Sequence, residues 1–507
     1  MMHKNILSDL KAGSVVFLVA LPLCLGIAMA CGTPLYSGIL AGIIGGIIVT
    51  FFSDAKFSVS GPAAGLTSVV ITSIATLGSI EVFLAAVAMA GVFQIFLGLI
   101  KAGSIGNFIP NAVIKGMLAG IGIILIIKQI PHFVGYDADF EGDINFEQPD
   151  GHNTISDLYY MLNYINAGSI IIGLVAFVII FISEIPGYRN NKYLTFLPGP
   201  LLAVVAGILL TLAFETVPFL TIGPEHLVQL PVIRSAGDIG SVIITPKFSE
   251  LASSNFWICA ITIAAVASLE TLLNIEAIEK LDPEKTPVNS NRELVAQGIG
   301  NTLSGMVGGL PITSVIVRSS ANIYAGARTR LSIVIHAVLL LICVLFIPGV
   351  LGLIPNSSLA VILILTGYKL ARVSLFTGQY RLGWDQFLPF IVTIAVMLLT
   401  DLLKGVGAGI VVAVIFIIRV NIRSTVEVIE EEINGQFIYL IKLPQHLTFF
   451  NKGFMIKSLN SVKKNSTVII DGSNNKVTDK DVREVLLDFY SSSQNKDIEI
   501  QFVKYQI

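Results

Sequence analysis

The chain has 507 residues, of which 54% are hydrophobic and 13% are charged, and its formal net charge is −2 at pH 7. Because a soluble domain carries about 25% charged residues, most of this chain is expected to lie in a lipid bilayer. The near-neutral charge and the absence of a basic stripe in the sequence exclude a nucleic-acid-binding protein. All four cysteines fall in apolar runs, which argues against a disulfide framework.

Fourteen apolar segments follow one another along residues 1–424. They lie at about 13–31, 34–52, 62–77, 81–101, 110–130, 168–184, 197–215, 256–278, 294–307, 311–325, 331–348, 350–370, 385–400 and 402–419. The first run resembles a signal peptide, but the next run starts almost at once, which favours a first hairpin of membrane helices. The third, ninth and tenth segments are shorter than the ~20 residues that a spanning helix needs. The sequence therefore predicts an all-α polytopic membrane domain.

Two of the short segments begin at breaks that combine Gly, Pro and hydroxyl residues. The breaks are Ser58–Thr67 and Gly308–Val315. Gly and Pro interrupt a helix and leave backbone N–H groups unpaired, which hydrocarbon tolerates only around a cavity. In a seven-plus-seven inverted repeat the third and tenth segments correspond and face each other. Since helix N-termini carry partial positive charge, the pair predicts an anion site.

The charges of the loops predict the orientation. With the N-terminus inside, the inner loops hold most of the basic residues, namely Lys56, Arg189, Lys192, Lys280, Lys285, Arg292, Arg328, Arg330, Lys369, Arg372 and Arg381. The fifth loop, about 136–165, is acidic and has no Lys or Arg, so it is expected outside; it contains Asp137, Asp139, Glu141, Asp143, Glu147 and Asp150. The prediction is a multi-pass protein of the cell (inner) membrane with both termini in the cytoplasm.

The character of the chain changes at residue 425, and 425–507 is predicted to form a separate cytoplasmic α/β domain. Strands are predicted at Phe437–Ile441, Val468–Ile470 and Ile498–Val503, with a helix near Val482–Tyr490. An acidic cluster precedes them and is interpreted as a solvated linker; it comprises Glu427, Glu430, Glu431 and Glu432. This domain could bind a cytoplasmic partner.

Glu270 is the ionisable residue that is hardest to explain structurally, because it lies within the apolar stretch Ile261–Leu273. A charge near mid-membrane costs several kcal/mol, which makes a functional role the default: proton carrier, cation ligand or half of an ion pair. Asn274 shares its helix face at i+4. Arg318 follows Pro311 by two turns and offers a planar fork suited to oxyanions. The alternatives are an interhelical hydrogen bond for Glu270, a snorkelling Arg318, or an ion pair between the two.

Hydroxyl residues flank both breaks: Ser58, Ser60, Thr67 and Ser68 at the first, and Thr313 and Ser314 at the second. Each hydroxyl can donate to an anion or accept from a neighbour, and each can also bond its own i−4 carbonyl. No Ser/His/Asp arrangement, CxxC pair or P-loop occurs in the sequence, and the six histidines lack metal-ligand spacing. We therefore expect a protein that is not an enzyme and needs neither cofactor nor metal, unless Glu270 and Asn274 bind sodium.

These residues resemble the SulP family of inorganic-anion transporters. The matching stretches are Leu21–Ala28, Val59–Thr67, Ser268–Leu273, Asn291–Gly309 and Ala325–Arg330. The resemblance implies two inverted repeats of seven segments, with core and gate subdomains. It also implies an anion held between the third and tenth helices, and a coupling role for Glu270 with Asn274. The substrate contacts predicted on this basis are Ser60, Ala64, Thr67, Pro311, Thr313, Ser314, Val315 and Arg318.

The tail resembles a STAS domain, which implies a homodimer. It departs from the family pattern in having Val477–Val482 where a phosphorylatable Asp-x-Ser-Gly element is expected. A second departure is Leu23–Cys24, where many relatives carry a polar or acidic residue after the first-helix Pro.

The sequence thus predicts secondary active, proton-linked transport of sulfate or bicarbonate. One alternative is sodium-dependent bicarbonate symport, although such relatives tend to have Asp at the position of Glu270 and a hydroxyl at that of Asn274. A nucleobase permease of the same fold is a second alternative, but it needs an acid on the tenth segment, where this chain has Arg318. A membrane-anchored regulator with vestigial transport is a third, and it gives no reason to keep Glu270 and both breaks.

Overall fold

The computed structural model describes residues 2–138, 146, 153–185, 198–228, 244–346, 348–423, 426–433, 435–493 and 496–505. The chain divides into two compact units, Met1–Ile410 and Val411–Ile507. The basic residues predicted at 189 and 192, and the acids predicted at 139, 141, 143, 147 and 150, lie outside the described residues.

Each predicted apolar segment contains a helix, and we number these helices α1–α14. They are α1 Met2–Ala30, α2 Leu35–Phe52, α3 Thr67–Leu77, α4 Ile80–Leu99, α5 Asn111–Val134, α6 Ala167–Glu184, α7 Gly199–Phe214, α8 Ser254–Leu281, α9 Ser290–Val307, α10 Ile316–Tyr324, α11 Leu331–Phe346, α12 Asn356–Leu370, α13 Trp384–Leu399 and α14 Leu402–Arg423. Among the described residues, eight helices are long and apolar enough to span a membrane, and α3, α7, α11 and α13 are shorter apolar helices. The predicted all-α membrane architecture is confirmed.

Shorter elements connect these helices. They are the 3₁₀ turns Ala64–Leu66, Ala102–Phe108, Met161–Asn163 and Pro224–His226, and the helices Thr154–Tyr160, Pro348–Leu351 and Val373–Arg381. A π-helical turn, Gly45–Val49, lies inside α2.

The membrane helices pack as two groups. In one, α1 packs on α2, α10 and α11, and α4 packs on α8 and α9. In the other, α5 packs on α12 and α13, and α6 packs on α7 and α12. Helices 1–4 therefore associate with helices 8–11, and helices 5–7 with 12 and 13, which is the interleaving that two seven-helix repeats produce.

Glycines bring α4 and α9 into backbone contact. A Cβ added at Gly91 would lie 2.4 Å from the backbone nitrogen of Thr302, and one at Gly298 would lie 2.6 Å from the carbonyl oxygen of Gly91. A Cβ at Gly305 would lie 2.5 Å from the backbone of Ala88. Small residues at one-turn spacing allow membrane helices to approach closely and pack by van der Waals contact. This contact fixes α9 against the core of the first group.

The second unit contains a four-stranded sheet with the order β3–β4–β6–β8. Its strands are β3 Glu427–Ile433, β4 Gln436–Lys442, β6 Ser466–Asp471 and β8 Glu499–Val503; a separate parallel pair is β5 His446–Leu447 with β7 Val477–Thr478. The helices α15 Lys452–Asn460 and α16 Lys480–Ser493 connect the parallel strands and cover a core that includes Tyr439, Met455 and Ile470. The acidic cluster is the exposed edge strand β3, so its interpretation as a linker is wrong, because pairing with β4 in antiparallel register orders it.

Asp137, which lies in the loop that the sequence predicts on the outer side, is buried in an ion cluster. Nδ1 of His132 lies 2.6 Å from Oδ1 of Asp137, and Nδ1 of His226 lies 2.7 Å from Oδ2. The Asn356 amide donates to Oδ1 at 3.1 Å. Burial acts to raise the pKa of Asp137, but the hydrogen bonds from His132, His226 and Asn356 outweigh it and hold that pKa at about 2. The cluster joins the end of α5 to the start of α12.

The Asp137 cluster predicts how stability changes with pH. The hydrogen bond with Asp137 raises the pKa of His226 above its ordinary value. The contribution of His226 to the free energy of unfolding is therefore complete below about pH 6.5, and it is lost as pH rises through the raised pKa. The contribution of Asp137, about 2 kcal/mol, is present above about pH 4 and is lost as pH falls towards 2. Melting midpoints in detergent from pH 3 to 9 should therefore peak between these limits, and Asp137→Asn should flatten the profile. The exposed Glu215→Gln is the control, and an unchanged profile in Asp137→Asn would refute the assignment.

Candidate functional site

The two predicted breaks meet in a short antiparallel ribbon. Strand β1, Ser60–Pro62, pairs with β2, Ile312–Ser314, so that Ser60 lies opposite Ser314 and Gly61 opposite Thr313. The Val315 N–H extends the pairing by donating to the Val59 carbonyl at 2.9 Å. The ribbon satisfies backbone groups that no helix can satisfy at this depth. Beyond the ribbon the chain turns helical again at Ala64 and at Ile316, so two helix N-termini start from one place.

Helix α9 supports this ribbon from one side through amide side chains. The Ile312 N–H donates to Oδ1 of Asn301 at 2.5 Å, and Nδ2 of Asn301 donates to the Ile312 carbonyl at 2.8 Å. One turn earlier, Nε2 of Gln297 donates to Oγ of Ser60 at 2.7 Å. A single helix thus holds both strands. Sequence reasoning missed these two residues, although their four-residue spacing on a segment of poor hydropathy was a visible signal.

Arg318 is fully buried beside the ribbon and is nearly without partners. Its Nη2 donates to the Pro62 carbonyl at 3.4 Å, whereas Nε and Nη1 have no hydrogen-bond partner among the described residues. Gly61 and Gly42 border the guanidinium, and the Cys24 thiol lies beside it. A buried charge without an anionic partner is costly, which makes this guanidinium a candidate group for binding an anion.

Glu270 faces the start of the third helix. Its carboxyl atoms lie 3.0–3.1 Å from the position that a Cβ on Gly65 would occupy, and its Oε2 is buried without a hydrogen-bond partner. Nδ2 of Asn274 donates to the Ser314 carbonyl at 2.6 Å, which leaves its Oδ1 unpartnered. Oγ1 of Thr67 is also buried without a partner. Three oxygens on α3 and α8 therefore lack donors among the residues that the structure describes.

The structure brings most of the predicted site residues together at the ribbon. Ser60, Thr313 and Ser314 lie in its strands, Pro311 and Val315 flank β2, and Ala64 and Thr67 begin the third helix. Oγ of Ser314 bonds Oγ of Ser58 at 2.8 Å, and Thr313 donates to the Ser314 carbonyl at 3.1 Å. Glu270 and Arg318 do not form the ion pair that the sequence left open, because each contacts a different part of the ribbon region.

A cavity of about 510 Å³ separates the two helix groups at the far end of α10. It begins at Ala321, three residues beyond Arg318, and elements of both groups line it. Its charged residues are Lys11, Glu184, Arg328, Lys369 and Arg372. Lys369 pairs with Glu184, and Arg372 lies over the ring of Tyr324. The excess of positive charge suits an entry or exit path for an anion.

Gly61→Ala should reduce anion affinity severalfold, because a Cβ there would lie 2.2 Å from Nη1 of Arg318 and would displace the guanidinium. The backbone of Gly61 itself does not require glycine, so the fold should survive. The KM for anion uptake into proteoliposomes measures the effect. Gly407→Ala is the control, since a Cβ at Gly407 meets nothing within 4 Å. Equal KM values for the two variants would place Arg318 outside the site.

Comparison with known proteins identifies the family. The profile of the sulfate permease family matches residues 6–393. The Bacillus subtilis protein YvdB is 30% identical over 81% of this chain and 73% of its own length. The chain belongs to the sulfate permease family. The predicted family resemblance is confirmed, and the protein is a membrane transporter rather than an enzyme.

The chain is also similar to proteins that are named as transporters of other anions or are known by their structure. The bicarbonate transporter BicA of Picosynechococcus is 27% identical over 81% of this chain and 70% of its own length. The solved transmembrane domain of a cyanobacterial BicA superposes with a TM-score of 0.56 at 26% identity, covering 79% of this chain and 97% of that chain. The structure of SLC26A9 gives a TM-score of 0.68 at 16% identity over 100% of this chain and 85% of that chain, which shows the shared fold alone.

Proposed function

We propose that this protein transports a small inorganic oxyanion, sulfate or bicarbonate, by proton-linked symport with alternating access. The observation that carries the proposal is the β1–β2 ribbon, which starts two helix N-termini beside the buried, nearly unpartnered guanidinium of Arg318. Both the partial charges of the helix ends and the planar fork of Arg favour an oxyanion. The names of the relatives, which include sulfate and bicarbonate transporters, support the same substrate class.

Glu270 is the proposed coupling residue. Its carboxyl is buried, has an unpartnered oxygen and lies against the turn that starts the third helix. Protonation of Glu270 would remove the cost of a buried negative charge. The added positive charge would also offset the negative charge of the anion that binds nearby. Coupling to a proton then requires only this one carboxyl.

Sodium is the second candidate for the coupling ion, favoured by the same unpartnered oxygens. A carboxylate, an amide oxygen and a hydroxyl are ligands that a hard cation accepts, and Glu270, Asn274 and Thr67 supply one each. Among the described residues no group of three His, Cys, Asp or Glu could hold a metal ion, so a transition-metal site has no support.

Uptake into proteoliposomes tests the proposal. Labelled sulfate and bicarbonate are offered separately, each with an imposed proton gradient or an imposed sodium gradient. Accumulation of either anion driven by protons would support the proposal as stated. Accumulation of bicarbonate that needs sodium would keep the oxyanion site and move Glu270 and Asn274 to a cation site. Failure to transport either anion under both gradients would overturn the function.

Several further properties belong to the same proposal. The transporter would lie in the cell (inner) membrane with both termini in the cytoplasm, as the loop charges predict. The strand and helix order of the second unit fits a STAS-like domain, through which a homodimer or a cytoplasmic partner could assemble. Deleting residues 425–507 should leave residual transport by the membrane domain, and complete loss in a correctly inserted protein would assign the tail an essential role.

A further inference from the structure

Glu293, at the start of α9, is a fully buried acid that has no role in the proposed transport function. Its Oε2 accepts a hydrogen bond from the Ser53 hydroxyl, and its Oε1 accepts from Nε2 of Gln297 at 2.9 Å. The Ala55 N–H donates to Oγ of Ser53 at 3.0 Å, so the Ser53 hydrogen is directed to the acid. Oε1 therefore accepts from Gln297 both in the ionised acid and in an acid that carries its proton on Oε2.

The Oε1 acceptor of Glu293 fixes the direction of the hydrogen bonds of Gln297 and Ser60. Because Oε1 of Glu293 is an acceptor, the amide of Gln297 must turn its NH₂ group towards it. The second hydrogen of the same nitrogen then points to Oγ of Ser60, 2.7 Å away. The Ser60 oxygen becomes the acceptor, and its own hydrogen must point elsewhere. Among the described residues, none accepts that hydrogen.

We propose that Glu293 is a positioning residue of the anion site, which acts through Gln297 to keep the Ser60 hydroxyl oriented as a donor at the break. This inference rests on the proposed function, because it assigns the free hydrogen of Ser60 to the transported oxyanion. An anion site needs donors, and a hydroxyl left free to rotate can present a lone pair instead. The chain of three residues removes that freedom.

Exchanging the side chains of Glu293 and Gln297 reverses the direction of the hydrogen bond between residue 297 and Ser60, and it keeps the composition and net charge of the protein. In the double variant Glu293→Gln with Gln297→Glu, the carboxylate lies next to Ser60 and must take the hydroxyl hydrogen that otherwise serves the anion. We expect the KM for sulfate or bicarbonate to rise about tenfold, the loss of one hydrogen bond to a charged group. Ser60→Ala should raise KM similarly, and adding the exchange to Ser60→Ala should change it less than about twofold.

Thr302→Ala is the matched control on the same helix. The Thr302 hydroxyl donates to the Gly298 and Ala88 carbonyls, away from the ribbon. The KM of Thr302→Ala should therefore stay at the wild-type value. A wild-type KM in the exchange variant, or independent effects of the exchange and Ser60→Ala, would refute the positioning role while anion transport stands. No effect of Ser60→Ala alone would refute it as well. Wild-type protein that transports neither anion would instead refute the proposed function.

Exchanging two buried side chains can also prevent folding. A single symmetric peak in size-exclusion chromatography shows that the exchange variant is folded. If the exchange variant aggregates, the single change Glu293→Gln replaces it, since a neutral amide no longer dictates which way Gln297 turns. The same comparison with Ser60→Ala then applies. The anion-dependent rise in melting midpoint gives a second readout that does not require transport. An unchanged anion-dependent rise in Glu293→Gln would refute the positioning role.

Discussion

Arg318→Ala should raise the KM for the transported anion by about tenfold or more, since a hydrogen bond between charged groups contributes about 1.5–3 kcal/mol. The guanidinium is fully buried, with two of its nitrogens unpartnered, and its one backbone bond to Pro62 is long. Removing it should not destabilise the empty protein, because an unpaired buried charge costs stability. Arg318→Met, which preserves side-chain volume, should therefore lose affinity and melt no lower than the wild type.

Arg381→Ala supplies the comparison for this prediction. Arg381 is exposed on the short helix Val373–Arg381 and does not line the cavity between the two helix groups. Uptake kinetics and melting midpoints are measured for all three variants in parallel. If Arg318→Ala and Arg381→Ala change KM equally, the buried guanidinium does not bind the anion. A large fall in the melting midpoint of Arg318→Met would assign Arg318 a structural role.

Glu270→Gln should abolish accumulation of the anion against its gradient while leaving anion binding within about threefold of the wild type. The amide keeps the size of the side chain but can neither release a proton nor offer a negative charge to a cation. The anion itself is expected to contact the ribbon and Arg318, which this substitution leaves in place. Downhill exchange of labelled anion should therefore continue when gradient-driven uptake stops.

Glu276→Gln is the control on the same helix, since Glu276 is half-buried and its position, two residues after Asn274, puts it about 200° around the helix from the residue that contacts the ribbon. It should retain full accumulation under both gradients. Proton-driven or sodium-driven accumulation that survives Glu270→Gln would show that coupling occurs at another residue. Loss of downhill exchange together with accumulation would indicate that Glu270 is needed to build the site rather than to couple it.

The sequence alone predicted the membrane helices, the two breaks and most of the residues that meet there. Apolar runs and Gly/Pro interruptions are local signals, because a chain in hydrocarbon must pair its backbone within each helix or at a break. Glu270 and Arg318 were also visible, since an ionisable group in an apolar run is rare without a function. The partners of Asp137 could not be predicted, because only the fold brings His226 and Asn356 to it.

Tertiary structure decided what surrounds each of these residues. Side-chain neighbours far apart in sequence depend on how helices cross, so the separation of Glu270 from Arg318 could not be read from spacing. The same holds for α9: the sequence shows only the four-residue spacing of Gln297 and Asn301, and they become the support of both strands when α9 packs against the ribbon. The sequence determined which groups are costly in lipid, whereas the packing determined which of them are satisfied by partners and which are left for a ligand.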